Sequence, residues 1–360
     1  MEWKEYSLGD ISKLKYGKNV SAKLCKGPVP IFSGYRKIGT CNTINCKKNT
    51  VIVIARGVGG CGDVKLTKED CFLTNLSISV ELDKGICNAK WFYYNHLLNN
   101  LSFLNSGSAQ PQITIDSLSK YLIRIPPIII QRKIAGILSA LDAKIENNNK
   151  INGNLEAQAQ ALFKSWFVDF TPFKDQPFID SELGPIPQGW KVGKLGDICT
   201  FKRGKNLLSK NAIDEGVPVV AGGLTPSCYH NQANTSAPVV TVSGSGANAG
   251  FMRMYHVDVW ASDCSFIDVS CDYLYFVYCF LSVNRRLLKH AQTGAVQPHV
   301  KPADIHDFDV VIPEEDIVKA FQSIIKELLT KVGVNEKENQ RLAALRDTLL
   351  PKLMSGEIKL

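Results

Sequence analysis

Apolar residues recur at alternating steps of four and three through Ile134, Leu138, Leu141, Ile145, Asn148, Asn152, Leu155, Ala159, Leu162 and Trp166. The pattern returns 187 residues later, at Phe321, Ile325, Leu328, Val332, Asn335, Asn339, Leu342, Arg346, Leu349 and Leu353. That spacing predicts two long helices, each with one apolar seam. Asn interrupts both seams at the same two central positions. A buried Asn costs stability and fixes register. Antiparallel packing of the two helices would pair Asn148 with Asn339 and Asn152 with Asn335. The second helix has a clear start, with Pro313 followed by Glu314, Glu315 and Asp316, where the helix dipole favours carboxylates. Pro351 should end or kink it and leave Leu353 outside the seam. Gly136 and Gly153 weaken the first helix by up to about 1 kcal/mol each.

The rest of the chain reads differently. It is rich in Gly and Pro, with short β-branched runs such as Val51–Ile54 and 238–242. These predict short strands and tight turns around a few helices. The stretches Trp91 to Tyr94 and Tyr273 to Phe280 read as buried helix or core. Residues 3–19 and 190–206 are identical at ten of 17 positions, again at an offset of 187. The same offset aligns Gly57 with Gly244, Gly107 with Gly294, and Gln110-Pro111 with Gln297-Pro298. The chain is thus two copies of one unit. The expected fold is α+β: two similar globular domains, 1–127 and 190–313, separated by an antiparallel two-helix coiled coil with a pseudo-twofold internal repeat. Residues 128–168 and 314–360 form the helices, and 169–189 a linker.

Composition excludes several classes. The 360 residues are 45% hydrophobic, enough for a sizeable core. No run of about 18 apolar residues predicts a membrane span, and no secretory signal is visible at the start. Eleven scattered cysteines fit reduced thiols and a cytoplasmic setting. No metal-ligand, nucleotide-loop or nucleophile-elbow motif is complete. Gly57 to Gly60 and Gly244 to Gly246 read as tight turns. Charge is uneven: residues 1–127 hold 17 Lys+Arg and 9 Asp+Glu, against 11 and 10 in 190–313. The basic first head has the charge expected of a phosphate-binding surface, although a charge run alone equally suits a solvated face. A helix over 128–168 would be on the order of 60 Å long. Two turns of B-DNA span about 70 Å, so two such heads could address one duplex.

A duplicated head-plus-helix resembles the specificity subunit of type I restriction-modification systems. The residues that carry the resemblance are Trp3 with Leu8-Gly9-Asp10-Ile11, Gln131-Arg132-Lys133-Ile134-Ala135, the segment 162–170, Gly184-Pro185-Ile186-Pro187, and the terminal stretch 349–360. The resemblance implies that each head is a target-recognition domain reading one half of a split, asymmetric site in double-stranded DNA. It implies that the helices fix the gap and dock two adenine-methylating modification subunits, joined by ATP-driven restriction subunits. S-adenosylmethionine, ATP and Mg would then belong to partners, with no cofactor, metal or catalytic residue in this chain.

Phosphate contacts position a DNA-binding protein and base contacts specify. The positioning candidates are Lys18, Lys37, Lys205 and Lys301. The base-reading candidates are Arg36, Arg56, Gln110 and Gln112 in the first head. In the second they are Asn206, His230, Arg253, Gln297 and His299. Arg suits guanine, and Asn or Gln suits adenine, through paired hydrogen bonds. Three other readings stay open from the residues alone: a two-headed scaffold that binds no DNA, a recognition chain for a type II-like methyltransferase, and an undetected enzyme.

Overall fold

The structure, a computed structural model, describes residues 3–20, 26–57, 59–106, 110–293 and 298–360. The long helices run over Ile128–Phe167 and Glu315–Ser355. Contacts divide the chain into two compact units: Met1–Glu146 with Asn339–Leu360, and Asn147–Glu338. The second helix stops at Ser355, five residues short of the expected 360, and the packing groups both helices otherwise. Each long helix gives one half to each unit, because each half buries its apolar seam against the nearer head.

In the first unit, strands 12–16, 77–82, 51–54 and 64–66 form a four-stranded antiparallel sheet in that spatial order. A three-stranded sheet has the order 36–41, 29–33, 72–73, its last pair parallel. Strand 4–7 pairs with 122–125 and closes the head. Val51 to Ile54 are buried throughout, as an inner strand covered on both faces requires. Trp91 and Phe92 are fully buried among Leu8, Ile11, Ile78, Ile113 and Leu118. Ile134 and Leu138 of the first long helix join this core, together with Leu350, Leu353 and Met354 of the second.

Leu353 corrects the expectation drawn from Pro351. The helix continues to Ser355 with Pro351 inside it, and Leu353 is 2% exposed. Pro removes one backbone hydrogen bond near the helix end. Burial of Leu350, Leu353 and Met354 in the head's core, at roughly 1.5–3 kcal/mol per side chain, offsets that loss.

The second unit repeats the topology. Its four-stranded sheet has the order 202–203, 264–267, 239–243, 252–255. Its three-stranded sheet has the order 228–230, 217–220, 260–261, again ending in a parallel pair. Strand 191–194 closes against 309–312. Its core is more aromatic. Phe163 and Phe167 pack on Phe276 and Phe321 with ring centroids 4.8–5.9 Å apart. The helix Leu274–Val283 is buried along most of its length. The expected linker is folded into this unit: Phe173 and Ile186 are buried in the same cluster, and the Phe173 ring lies 4.9 Å from Trp190.

Within each unit the two helix segments run antiparallel. Arg346 meets Asp142 at 2.8 Å in the first, and Asn335 Nδ2 donates to Asn152 Oδ1 at 2.8 Å in the second. Each long helix also fixes its head through a Gln. Gln131 Oε1 accepts from Asn88 N, and its Nε2 donates to Ile86 and Pro126 carbonyls. Gln322 Oε1 accepts from Tyr275 N and Phe276 N, the free amides that open a buried helix.

Candidate nucleic-acid interface

In the first head the interface starts where strand 12–16 ends. A Cβ at Gly17 would run into the Leu73 and Thr74 carbonyls, so only Gly allows this close pass. Lys18 N then donates to Leu73 O at 3.0 Å, and the Lys18 side chain leaves into solvent. Leu73 lies beside Phe32, Phe32 faces Lys37, and Ser33 faces Arg36. The hairpin tip, Gly34-Tyr35, has φ of +54° and +64° at its two residues. A two-residue hairpin turn of this hand requires positive φ at both. Tyr35 is held there by its hydroxyl, which donates to Leu66 O at 2.9 Å, and by its ring stacked on Phe32. Lys18 on one side and Arg36 and Lys37 on the other are thus separated by strands 72–73 and 29–33, and all three are exposed.

A second group forms at the end of strand 51–54. Arg56 bridges Gln112 in antiparallel register, and Ile113 N donates to Ala55 O at 2.9 Å. Asn105 Oδ1 accepts from Gln112 N at 2.7 Å. The Arg56 Nε is buried, with no hydrogen-bond partner among the described residues. Gln110 is exposed two residues before Gln112. Tyr16 joins the groups: its hydroxyl accepts from Ile115 N at 3.2 Å, and it lies two residues before Lys18.

The second head repeats the framework with other side chains. Gly204 passes against Ala261 and Ser262 as Gly17 does against Leu73 and Thr74. Lys205 N donates to Ala261 O at 2.9 Å, and Trp260 Nε1 donates to Lys205 O at 2.8 Å. The His230 ring lies 4.6 Å from Trp260, whose indole thus touches both His230 and the Lys205 backbone. Asn206 is exposed beside them. Ser245 bridges His299 as Arg56 bridges Gln112. Lys301 N donates to Asp304 Oδ2 at 2.7 Å, which fixes the start of the helix Pro302–His306 and leaves the Lys301 ammonium exposed. Gln297 lies outside the described residues.

Arg253 stands apart from this group. It sits on the edge strand 252–255, across the sheet from 202–203. Its Nη2 is 3.5 Å from Glu336 Oε1 of the second long helix, and its guanidinium lies 5.0 Å from the Tyr255 ring centre. Burial raises the Glu336 carboxyl, and Arg253 opposes that shift. The arrangement is a strut between sheet and helix. Among the seam residues, Asn148 Nδ2 donates to Glu338 Oε2 at 2.8 Å, Asn152 and Asn335 bond each other, and Asn339 is half-buried.

Sequence reasoning passed over Tyr16, Arg203, Trp260 and Asp263. A signal existed for the first two. Lys15-Tyr16-Gly17-Lys18-Asn19 and Lys202-Arg203-Gly204-Lys205-Asn206 differ at one position only. A single change inside a repeated frame marks a place where the copies do different things.

The family model described as the type I restriction modification DNA specificity domain matches residues 1–157 and again 187–346. The chain belongs to this family. Members similar to it include the MjaIX type I restriction enzyme specificity subunit of Methanocaldococcus jannaschii, 29% identical over 340 residues, covering 87% of this chain and 78% of that relative. The HindI specificity subunit of Haemophilus influenzae is 25% identical over 471 aligned positions, covering 99% of this chain and all of that one. The fold is that of a crystal structure of a type I system S subunit from M. genitalium, with a TM-score of 0.68 and 21% identity over 98% of this chain and 96% of the other. Among the described residues no cluster of His, Cys, Asp or Glu could hold a metal ion, and no helix is long and apolar enough to cross a membrane.

Proposed function

We propose that this type I specificity subunit reads a split, asymmetric DNA site with one head on each half. The long helices set the number of base pairs between the halves and dock two adenine-methylating modification subunits. One observation carries the reading: the two units share a topology and a glycine-lined framework, yet present different side chains on it. Lys18 and Lys205 recur at the repeat offset, as do Asn19 and Asn206, whereas Arg36, Lys37, Arg56 and Gln112 stand on the first head and His230, His299 and Lys301 on the second. Equal frames with unequal faces suit two different half-sites. The chain contributes recognition, while methyl transfer with S-adenosylmethionine, and ATP- and Mg-dependent restriction, belong to partner subunits. The bases flipped for methylation enter the partners' sites.

Methylome sequencing of host cells with and without this chain tests the reading. One interrupted motif should lose adenine methylation when the chain is removed. Deleting four residues from each long helix should change the gap within that motif and leave both half-sites unchanged. A motif of unaltered spacing would sink the ruler, and an unaltered methylome would sink the whole reading.

A further inference from the structure

Arg203 leaves the second head at the framework position that Tyr16 occupies in the first. The Asp263 carboxylate holds its Nη2 at 2.5 Å. Asp263 is itself held by the Ser245 hydroxyl on its other oxygen. A Cβ at Gly244 would collide with the Arg203 guanidinium, so the flat group lies directly on bare backbone. Gly244 N donates to Asp263 O, and Gly244 O accepts from Val300 N. The guanidinium is thus fixed from below by glycine and at one corner by a carboxylate. Its side chain is still 46% exposed. Asp263 is its one hydrogen-bond partner among the described residues, which leaves its other N–H donors available to a ligand.

We infer that Arg203 is a specificity-determining residue of the second head, presenting its planar fork to a guanine edge, with Asp263 and Ser245 as positioning residues. Three points support a base reader over a phosphate clamp. The fork geometry matches guanine O6 and N7. Its conformation is set before binding, so little side-chain entropy is lost on contact. Asp263 offsets the charge, which weakens attraction for phosphate and leaves directional hydrogen bonding as what the group offers. The first head has Tyr16 here, which carries no guanidinium fork and whose hydroxyl oxygen accepts from Ile115 N. The guanine read by Arg203 therefore belongs to one half-site alone.

This inference rests on the proposed DNA reading, and selection from a randomised duplex library separates the two. The full-length chain is used, alone and in the complex recovered with its modification subunit. The wild type should select two half-sites, one containing a guanine that R203A selects about tenfold to a hundredfold less strongly. R203K keeps the charge and loses the fork; it should retain overall affinity and thermal stability while losing the same guanine. D263N should blur that position by a smaller factor. The other half-site should not change. Uniformly weaker binding in R203A, with every base preference retained, would make Arg203 a phosphate contact and overturn the inference. Unaltered selection by R203K would overturn it as well. If the wild type selects no sequence in either form, the DNA reading itself falls.

Discussion

The two units solve one packing problem with different chemistry. At the repeat position of Arg346 the other unit has Ala159, fully buried; at that of Asp142, beside the seam, it has Leu329, 1% exposed. In the first unit Arg346 Nη1 lies 2.8 Å from Asp142 Oδ1, and Tyr94 donates to Asp142 Oδ2 at 2.6 Å. In the second unit Ala159 and Leu329 belong to one apolar cluster. The helices therefore meet through a polar layer in one unit and a dry layer in the other. A seam made of two identical copies would suit either helix paired with its own kind. Opposite charges in one copy only, with apolar residues in the other, make each wrong pairing bury an unmatched charge. Duplication gave the scaffold, and divergence gave its halves separate identities.

Transplanting the polar layer should have the largest effect. A159R places a cation where Ala159 is fully buried and Leu329 supplies no partner. It should destabilise the second unit by about 3–5 kcal/mol. Urea unfolding of the full chain, with hydrogen exchange to assign the loss, would measure this. Adding L329D should recover part of it. Indifference to A159R would mean that the two layers are interchangeable.

Acid should strike both units through different histidines. His96 in the first is pushed down to about 4 by burial, its Nδ1–H donating to Phe92 O at 2.8 Å. His256 in the second is pushed down to about 4 by burial and then by Arg253. Both are neutral in the fold. Their folded values lie below the ordinary 6.5, so their contribution is complete above that pH and is lost as pH falls toward 4. At pH 5 each should cost about 2 kcal/mol. Unfolding midpoints at pH 7 and pH 5 for H96F and H256F should each lose part of the acid sensitivity. Acid sensitivity equal to wild type in both would contradict the assignment.

Removing the native polar layer should have the smallest effect, because Arg346 and Asp142 are partly solvated, with side chains 26% and 33% exposed. R346A should cost about 1 kcal/mol. The double variant D142L/R346A copies the apolar layer of the other unit and should regain most of that loss in a double-mutant cycle. A double variant worse than the single would mean that the first unit's surroundings, Tyr94 included, cannot accept a dry layer.

Periodicity along the chain fixed both long helices, the seam positions and the presence of a repeat, because these depend on local spacing that a helix must satisfy. It did not fix how they are shared. The cut between units falls inside both helices, since a seam is divided by what lies closest in space. Pro351 looked like a terminus because its cost is local, whereas the core that overrides it gathers Leu8, Trp91 and Leu353 from distant parts of the chain. The segment 169–189 looked like a tether for the same reason: Phe173 and Ile186 find their partners only across the fold.

The candidate interface divides along the same line. Lys18 and Lys205 could be named from a repeated motif, and Arg56 and Gln112 from residue type. That Arg56 and Gln112 lie side by side, that Arg253 braces a helix, and that Arg203 rests on Gly244 with Asp263 at its corner are outcomes of sheet order and backbone approach. Sequence alone determined a duplicated head-plus-helix plan, which local physics can read, and its resemblance to one family. Tertiary structure decided which side chains remain free to meet a ligand, because that depends on neighbours brought close by folding and not on neighbours along the chain.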